Sequence, residues 1–167
     1  AQVQAQAQQM QVQMHVVDQA MLFTFASMGE VIGRQLRQLY DVLDEHQRRA
    51  LYGILIDKPR VAIVSAPAGA GKSALLKLIS MCWEHDMAVA APTHGARRAD
   101  QEVIDEVLPR QSYAPRIEAR TTFTSWGVGM GGAWDADVVA GKILSQDRTK
   151  MKAKETYEKK VVVLDEA

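Results

Sequence analysis

With 167 residues, 47% of them apolar, the chain is long enough for one domain with a buried core. Twenty basic residues balance twenty acidic ones, so overall charge points to no polyanionic partner, although a local basic groove is compatible with a neutral chain. The single cysteine, Cys82, excludes a disulfide framework and a cysteine-built zinc site, and its apolar neighbourhood Leu78–Trp83 marks it as a core residue.

Residues 1–16, AQVQAQAQQMQVQMHV, are a Gln-rich low-complexity stretch without turn signals. Disorder or a marginal helix is expected over 1–28, ahead of a folded unit at 29–167. Residues 20–29, AMLFTFASMG, are too short to span a bilayer and lack a basic segment before them. A soluble, intracellular chain with no membrane partner is therefore expected. The chain opens on Ala rather than Met and stops directly after an apolar run, so a piece of a longer protein is expected.

From 29 to 56 the apolar residues recur at three- and four-residue spacing: Val31, Ile32, Leu36, Leu39, Tyr40 and Leu43. Asp44 is placed to cap a second helix carrying Gln47, Ala50, Leu51, Ile54 and Leu55. Lys58-Pro59-Arg60 ends it.

Residues 61–78, VAIVSAPAGAGKSALLKL, organise the rest. Val61-Ala62-Ile63-Val64 reads as a short buried strand, and Ala74–Leu78 as a helix. Between them lie Ser65, Ala66, Pro67, Ala68, Gly69, Ala70, Gly71, Lys72 and Ser73, the order of a phosphate-binding P-loop. Small residues let consecutive backbone N–H groups wrap a triphosphate, and the following helix points its positive end at it. Lys72 supplies a cation to the β- and γ-phosphates, and Ser73 a hydroxyl to Mg²⁺. The pattern departs once: Ala66 stands where Gly is usual.

Met87–Ala91 is a second buried strand, followed by Pro92-Thr93-His94-Gly95, which turns into another helix. Residues 100–120 are polar and mixed and read as a helix end and a loop, with a possible short strand before the glycine-rich segment Thr121–Gly132. Residues 135–160 are charged and helix- or loop-like. Val161-Val162-Val163-Leu164 is a β-branched run expected to be a central parallel strand. Strands alternating with helices predict an α/β fold, a P-loop NTPase (RecA-like) parallel sheet flanked by helices with a helical N-terminal segment. Asp165 and Glu166 follow the last strand, where ligands bind in open α/β sheets. With a P-loop upstream, Asp165 takes the metal role and Glu166 polarises the attacking water.

Five segments, in order from residue 43 to the end, resemble the superfamily 1B DNA helicases, the group of the Pif-one-type, RecD-type and Dda-type enzymes. Leu43-Asp44-Glu45-His46-Gln47 is similar to the family's Q motif, Ala66–Ser73 to its Walker A loop, and Ala91-Pro92-Thr93-His94-Gly95-Ala96 to its motif Ia. Thr122-Phe123-Thr124-Ser125-Trp126-Gly127 is similar to its Thr-x-His-Ser-aromatic segment, with Thr124 at the His position, and Val161–Ala167 to its motif II. The glycine segment after Trp126 is one residue shorter than the family's, and residues 100–120 look like an insertion.

The resemblance implies an ATP-driven motor of the RecA-like type that moves 5′ to 3′ on single-stranded DNA, in replication, recombination, repair or telomere maintenance. It implies that Gln47 recognises adenine, and it directs attention to Thr93, Thr122 and Ser125 as hydroxyls for DNA phosphates. Trp126 has the ring to stack on a base or to wedge a core. Arg97 and Arg98 suit phosphate contact or a solvated helix face. ATP and Mg²⁺ are the implied cofactors, without zinc. The chain corresponds to the first RecA-like domain, and a second such domain would carry the arginine finger. Two other classes stay open from the residues: another P-loop enzyme, such as a small-molecule kinase or a AAA-type ATPase, and a non-catalytic nucleic-acid or protein interaction module.

Overall fold

The computed structural model describes residues 1–67, 69, 71–83, 86–108, 117–121 and 161–165. It divides into two compact units, Ala1–Cys82 and Trp83–Ala167.

The first unit is helical. The Gln-rich start forms a long helix, α1 (Gln2–Ser27), with its first half exposed. Its second half packs on the rest of the unit through Met21 and Phe25, both buried. Helix α2 (Glu30–Asp41) buries Leu36 and Tyr40, whereas Val31 and Ile32, expected on the apolar face, lie exposed. The two helices approach closely at Gly33, where an added Cβ would stand 2.5 Å from the Phe25 carbonyl oxygen. The Phe25 and Tyr40 rings meet edge to face, 5.4 Å between centroids.

Helix α3 (Glu45–Tyr52) starts as the sequence predicts. Asp44 Oδ1 accepts from the Gln47 N–H (2.9 Å) and Gln47 Oε1 accepts from the Asp44 N–H (2.9 Å), a reciprocal capping box. The helix loosens into a π-helical turn, Gly53–Asp57, and stops at Lys58, whose φ of 47° is left-handed. Helix α4 (Lys72–Cys82) follows the P-loop and buries Leu75, Leu76, Leu78 and Ile79.

One expectation is overturned here. Val61–Val64 is not a buried strand: it runs without ladder partners, with Val61 76% and Ile63 87% exposed. A strand needs a neighbour for its N–H and C=O groups, and the described residues of this unit contain no strand to provide one.

The second unit holds a three-stranded parallel sheet. Strand β1 (Met87–Ala91) pairs with β2 (Ile117–Thr121) from Met87↔Ile117 to Ala91↔Thr121, and with β3 (Val161–Leu164) from Met87↔Val161 to Ala90↔Leu164. The order is β2-β1-β3. The near-continuous apolar run Met87-Ala88-Val89-Ala90-Ala91 suits the middle position, buried on both faces. Strand β3, expected to be central, is therefore at an edge among the described strands, and Leu164 is 54% exposed.

Parallel neighbours need a crossover, and α5 (His94–Val107) lies between β1 and β2 in the chain and packs on both. Thr93 caps α5, its Oγ1 accepting from the Ala96 N–H at 3.1 Å. Strand β2 falls in the stretch read as a helix end and loop, at the place of the possible short strand. Its sequence Ile117-Glu118-Ala119-Arg120-Thr121 buries every second residue. The Ala119 N–H donates to Gln101 Oε1 (3.1 Å), so α5 covers part of that strand's outer edge.

Candidate nucleotide-binding site

The first unit contains a cleft of about 720 Å³, within the usual range of roughly 300–1,000 Å³ for small-molecule sites. Three successive segments between Asp44 and Leu75 build it. Asp44, His46, Gln47 and Ala50 come from the start of α3 and Gly53, Ile54 and Asp57 from the π-turn. The extended segment Ala62–Pro67 forms the facing wall, and Lys72 with Leu75 closes it from α4. The chain that was expected to be a buried strand thus lines this cavity.

The P-loop backbone explains its composition. Gly69 and Gly71 both have φ of 77°, a conformation that L side chains rarely adopt. Ala66 needs no such freedom, because Lys58 is the non-glycine residue with positive φ among those described. Alanine in place of the usual first glycine therefore brings no backbone strain. Gly71 has a second constraint: a Cβ there would run into Gln47 Nε2. The predicted adenine-reading residue and the phosphate loop thus touch. Gln47 serves the helix cap through its oxygen and leans its amide nitrogen on the loop.

At the mouth of α4, Lys72 and Ser73 occupy the first helical turn, with Lys72 half-buried in the cleft wall and Ser73 exposed. That turn's N–H groups and dipole favour an anion. Of the predicted nucleotide ligands, Gln47, Ala66, Pro67 and Lys72 line one cavity. Ala68 and Ala70 lie outside the described residues. Sequence reasoning missed His46, Asp57 and Pro59 as cleft residues. His46 stands inside the motif that carries Gln47, which was the available signal.

In the second unit, the Asp165 N–H donates to the Ala90 carbonyl (2.9 Å), extending the ladder one step past β3. Asp165 therefore stands half-buried at the carboxyl end of the sheet, the end from which the Pro92-Thr93 turn leads into α5. Thr93 Oγ1 is occupied as an acceptor, and a hydroxyl retains a proton to donate. Glu166, Thr122, Ser125 and Trp126 lie outside the described residues. Cys82, read as core, is half-buried, and burial pushes its thiol up to about 12.

A family model described as an AAA domain matches residues 42–167, a span that starts just ahead of the capping box and takes in the P-loop and β3. The chain belongs to the AAA-domain family. It is a P-loop ATPase by family, and its α/β architecture with a parallel sheet is that of a partial RecA-like fold. No curated protein and no solved structure matched the chain. P-loop AAA domains generally bind a nucleotide together with Mg²⁺. Among the described residues, no helix is long and apolar enough to cross a membrane.

Proposed function

We propose that this AAA-domain chain is the ATP-binding part of a 5′–3′ DNA helicase motor of the superfamily 1B type. The observation that carries the reading is the shared cleft: Gln47 from the Q-motif-like segment and Ala66, Pro67 and Lys72 from the P-loop line one cavity of nucleotide size. The family match is common to several kinds of P-loop ATPase. The helicase reading is favoured by the order of the Q-like, Ia-like and Thr-x-x-Ser-Trp segments.

In this reading the P-loop N–H groups and Lys72 hold the β- and γ-phosphates. Ser73 would offer Mg²⁺ a hydroxyl and Asp165 is the carboxylate that the motif II resemblance assigns to it; the ion would offset phosphate charge. Gln47 and the apolar surface of Ala50, Ile54 and Pro59 receive the base. Glu166 orients the attacking water. Single-stranded DNA is the partner, met by Thr93, Thr122 and Ser125 on its phosphates and by Trp126 on a base. A second RecA-like domain supplies the arginine finger, worth about 10³- to 10⁵-fold in rate, so residues 1–167 alone bind ATP but hydrolyse it little.

The test is ATP hydrolysis by the complete helicase with and without single-stranded DNA. Stimulation by DNA, lost in Lys72→Ala, is the expected result. Turnover indifferent to DNA overturns the motor reading. Turnover unaffected by Lys72→Ala overturns the phosphate site.

A further inference from the structure

Asp18 is the one Asp, Glu, Lys or Arg in the whole of α1. It is used inside the unit. The Tyr40 hydroxyl of α2 donates to Asp18 Oδ1 at 2.5 Å, and Arg48 Nη1 of α3 approaches the same oxygen at 3.4 Å. The second terminal nitrogen of Arg48, Nη2, donates to the Asp41 carbonyl at the end of α2 (3.1 Å), and the guanidinium lies 4.8 Å from the centre of the Tyr40 ring. One carboxylate thus ties three helices together. Arg49, next along α3, directs its Nε–H at Met14 of α1 (3.3 Å) and pairs with Glu45 (2.7 Å).

The residue before Arg48 is Gln47. Helix α3 therefore faces two ways: Gln47 and Ala50 line the nucleotide cleft, while Arg48 reaches back to α1. Leu51, wholly buried, anchors it between. The helix is short, eight residues, and loosens into a π-turn at its far end, so it has little stiffness of its own. Its position relative to the P-loop depends on what holds its back.

We propose that Asp18 is a positioning residue for nucleotide recognition: through Arg48 it fixes the α3 wall of the cleft and thereby sets the grip on the base. The inference rests on the nucleotide reading of the cleft, and it assigns the Gln-rich N-terminal helix a part in ligand binding. Because α3 forms the base side while the P-loop holds phosphates, loss of the clamp penalises the nucleoside and spares the polyphosphate.

The test measures binding of a fluorescent ATP analogue to the full chain, with displacement by ATP, GTP and inorganic tripolyphosphate. Asp18→Ala is expected to weaken ATP by about three- to tenfold, the scale of one charge-assisted contact. Tripolyphosphate should stay within about twofold of its unmutated value, and the preference for ATP over GTP should narrow, as expected when only base-side contacts are lost. Asp18→Asn keeps the size of the side chain and an acceptor for Tyr40 while removing the charge that holds Arg48, so it should show the same split to a smaller degree even where Asp18→Ala fails to fold. Equal weakening of ATP and tripolyphosphate, or unchanged ATP binding, overturns the proposal. Lys72→Ala serves as the reference: it should weaken both ligands, and if it moves neither, the underlying site assignment fails whatever Asp18 does.

Discussion

At position 71 two independent constraints fall on one glycine. Its φ of 77° disfavours any Cβ, and the Gln47 amide occupies the space a Cβ would take. Gly71→Ala is expected to cost about 1–2 kcal/mol of backbone strain and to displace Gln47, lowering both the melting temperature and nucleotide affinity. A urea titration and a nucleotide titration check the two effects separately. Cys82 has a different signature. Its thiol is raised from an ordinary value of 9.0 to about 12 by burial, so the folded state holds that proton more tightly than the unfolded one. The stability this contributes is complete below pH 9 and is lost as pH climbs from 9 to 12. Burial and the Asp18 hydrogen bond push the Tyr40 hydroxyl in the same direction. Melting temperatures across that alkaline range should fall, less steeply for Cys82→Ala, and a thiol reagent should label Cys82 slowly at pH 8 until denaturant is added.

Helices in this chain announce themselves by their ends. Asp44, read as a cap from the sequence, forms one together with Gln47, and Thr93, read only as part of the turn into a helix, proves to cap α5. Asp44→Ala should lower stability by about 1 kcal/mol, visible as a shifted urea midpoint with an unchanged slope. Close approach is not readable in this way. Nothing around Gly33 signals that it sits against the Phe25 carbonyl, yet backbone cannot yield as a side chain can. Gly33→Ala should cost about 1–3 kcal/mol, and the loss should persist with a smaller Phe25 side chain because the obstacle is the carbonyl. Strands divide along the same line. The alternation in Ile117–Thr121 is legible only once its partner is known, since two charged residues, Glu118 and Arg120, pair with each other on one face (2.7 Å). Val61–Val64 has strand composition without a strand beside it, and β propensity expresses packing against neighbours more than a backbone preference.

For the molecule as a whole, the chemistry was more legible than the architecture. The P-loop residues are fixed by what a phosphate demands of a backbone, so Gly69, Gly71, Lys72 and Ser73 stand out from the sequence alone. The cleft walls His46, Asp57 and Pro59 were not legible, because membership depends on how α3 and the π-turn lie against the extended segment. The N-terminal helix is the clearest gain from structure. Gln-rich composition leaves disorder and a marginal helix both open, and Met21, Phe25 and Asp18 seat the second half of a helix there. Removing residues 1–28 should therefore expose the Leu36 and Tyr40 surface of α2 and lower the melting temperature by several degrees, as loss of two buried large side chains requires.

The register Met87↔Val161 has a bearing on how the protein is made. At about 5–20 residues per second, a ribosome needs several seconds after finishing β1 before it has synthesised the strand that hydrogen-bonds along its second side. During that interval a run of Met, Ala and Val has both flanks open until β2 is made and one flank open thereafter. Slow translation between codons 92 and 160 prolongs the exposure, and chaperones that take up nascent hydrophobic strands have their opportunity there.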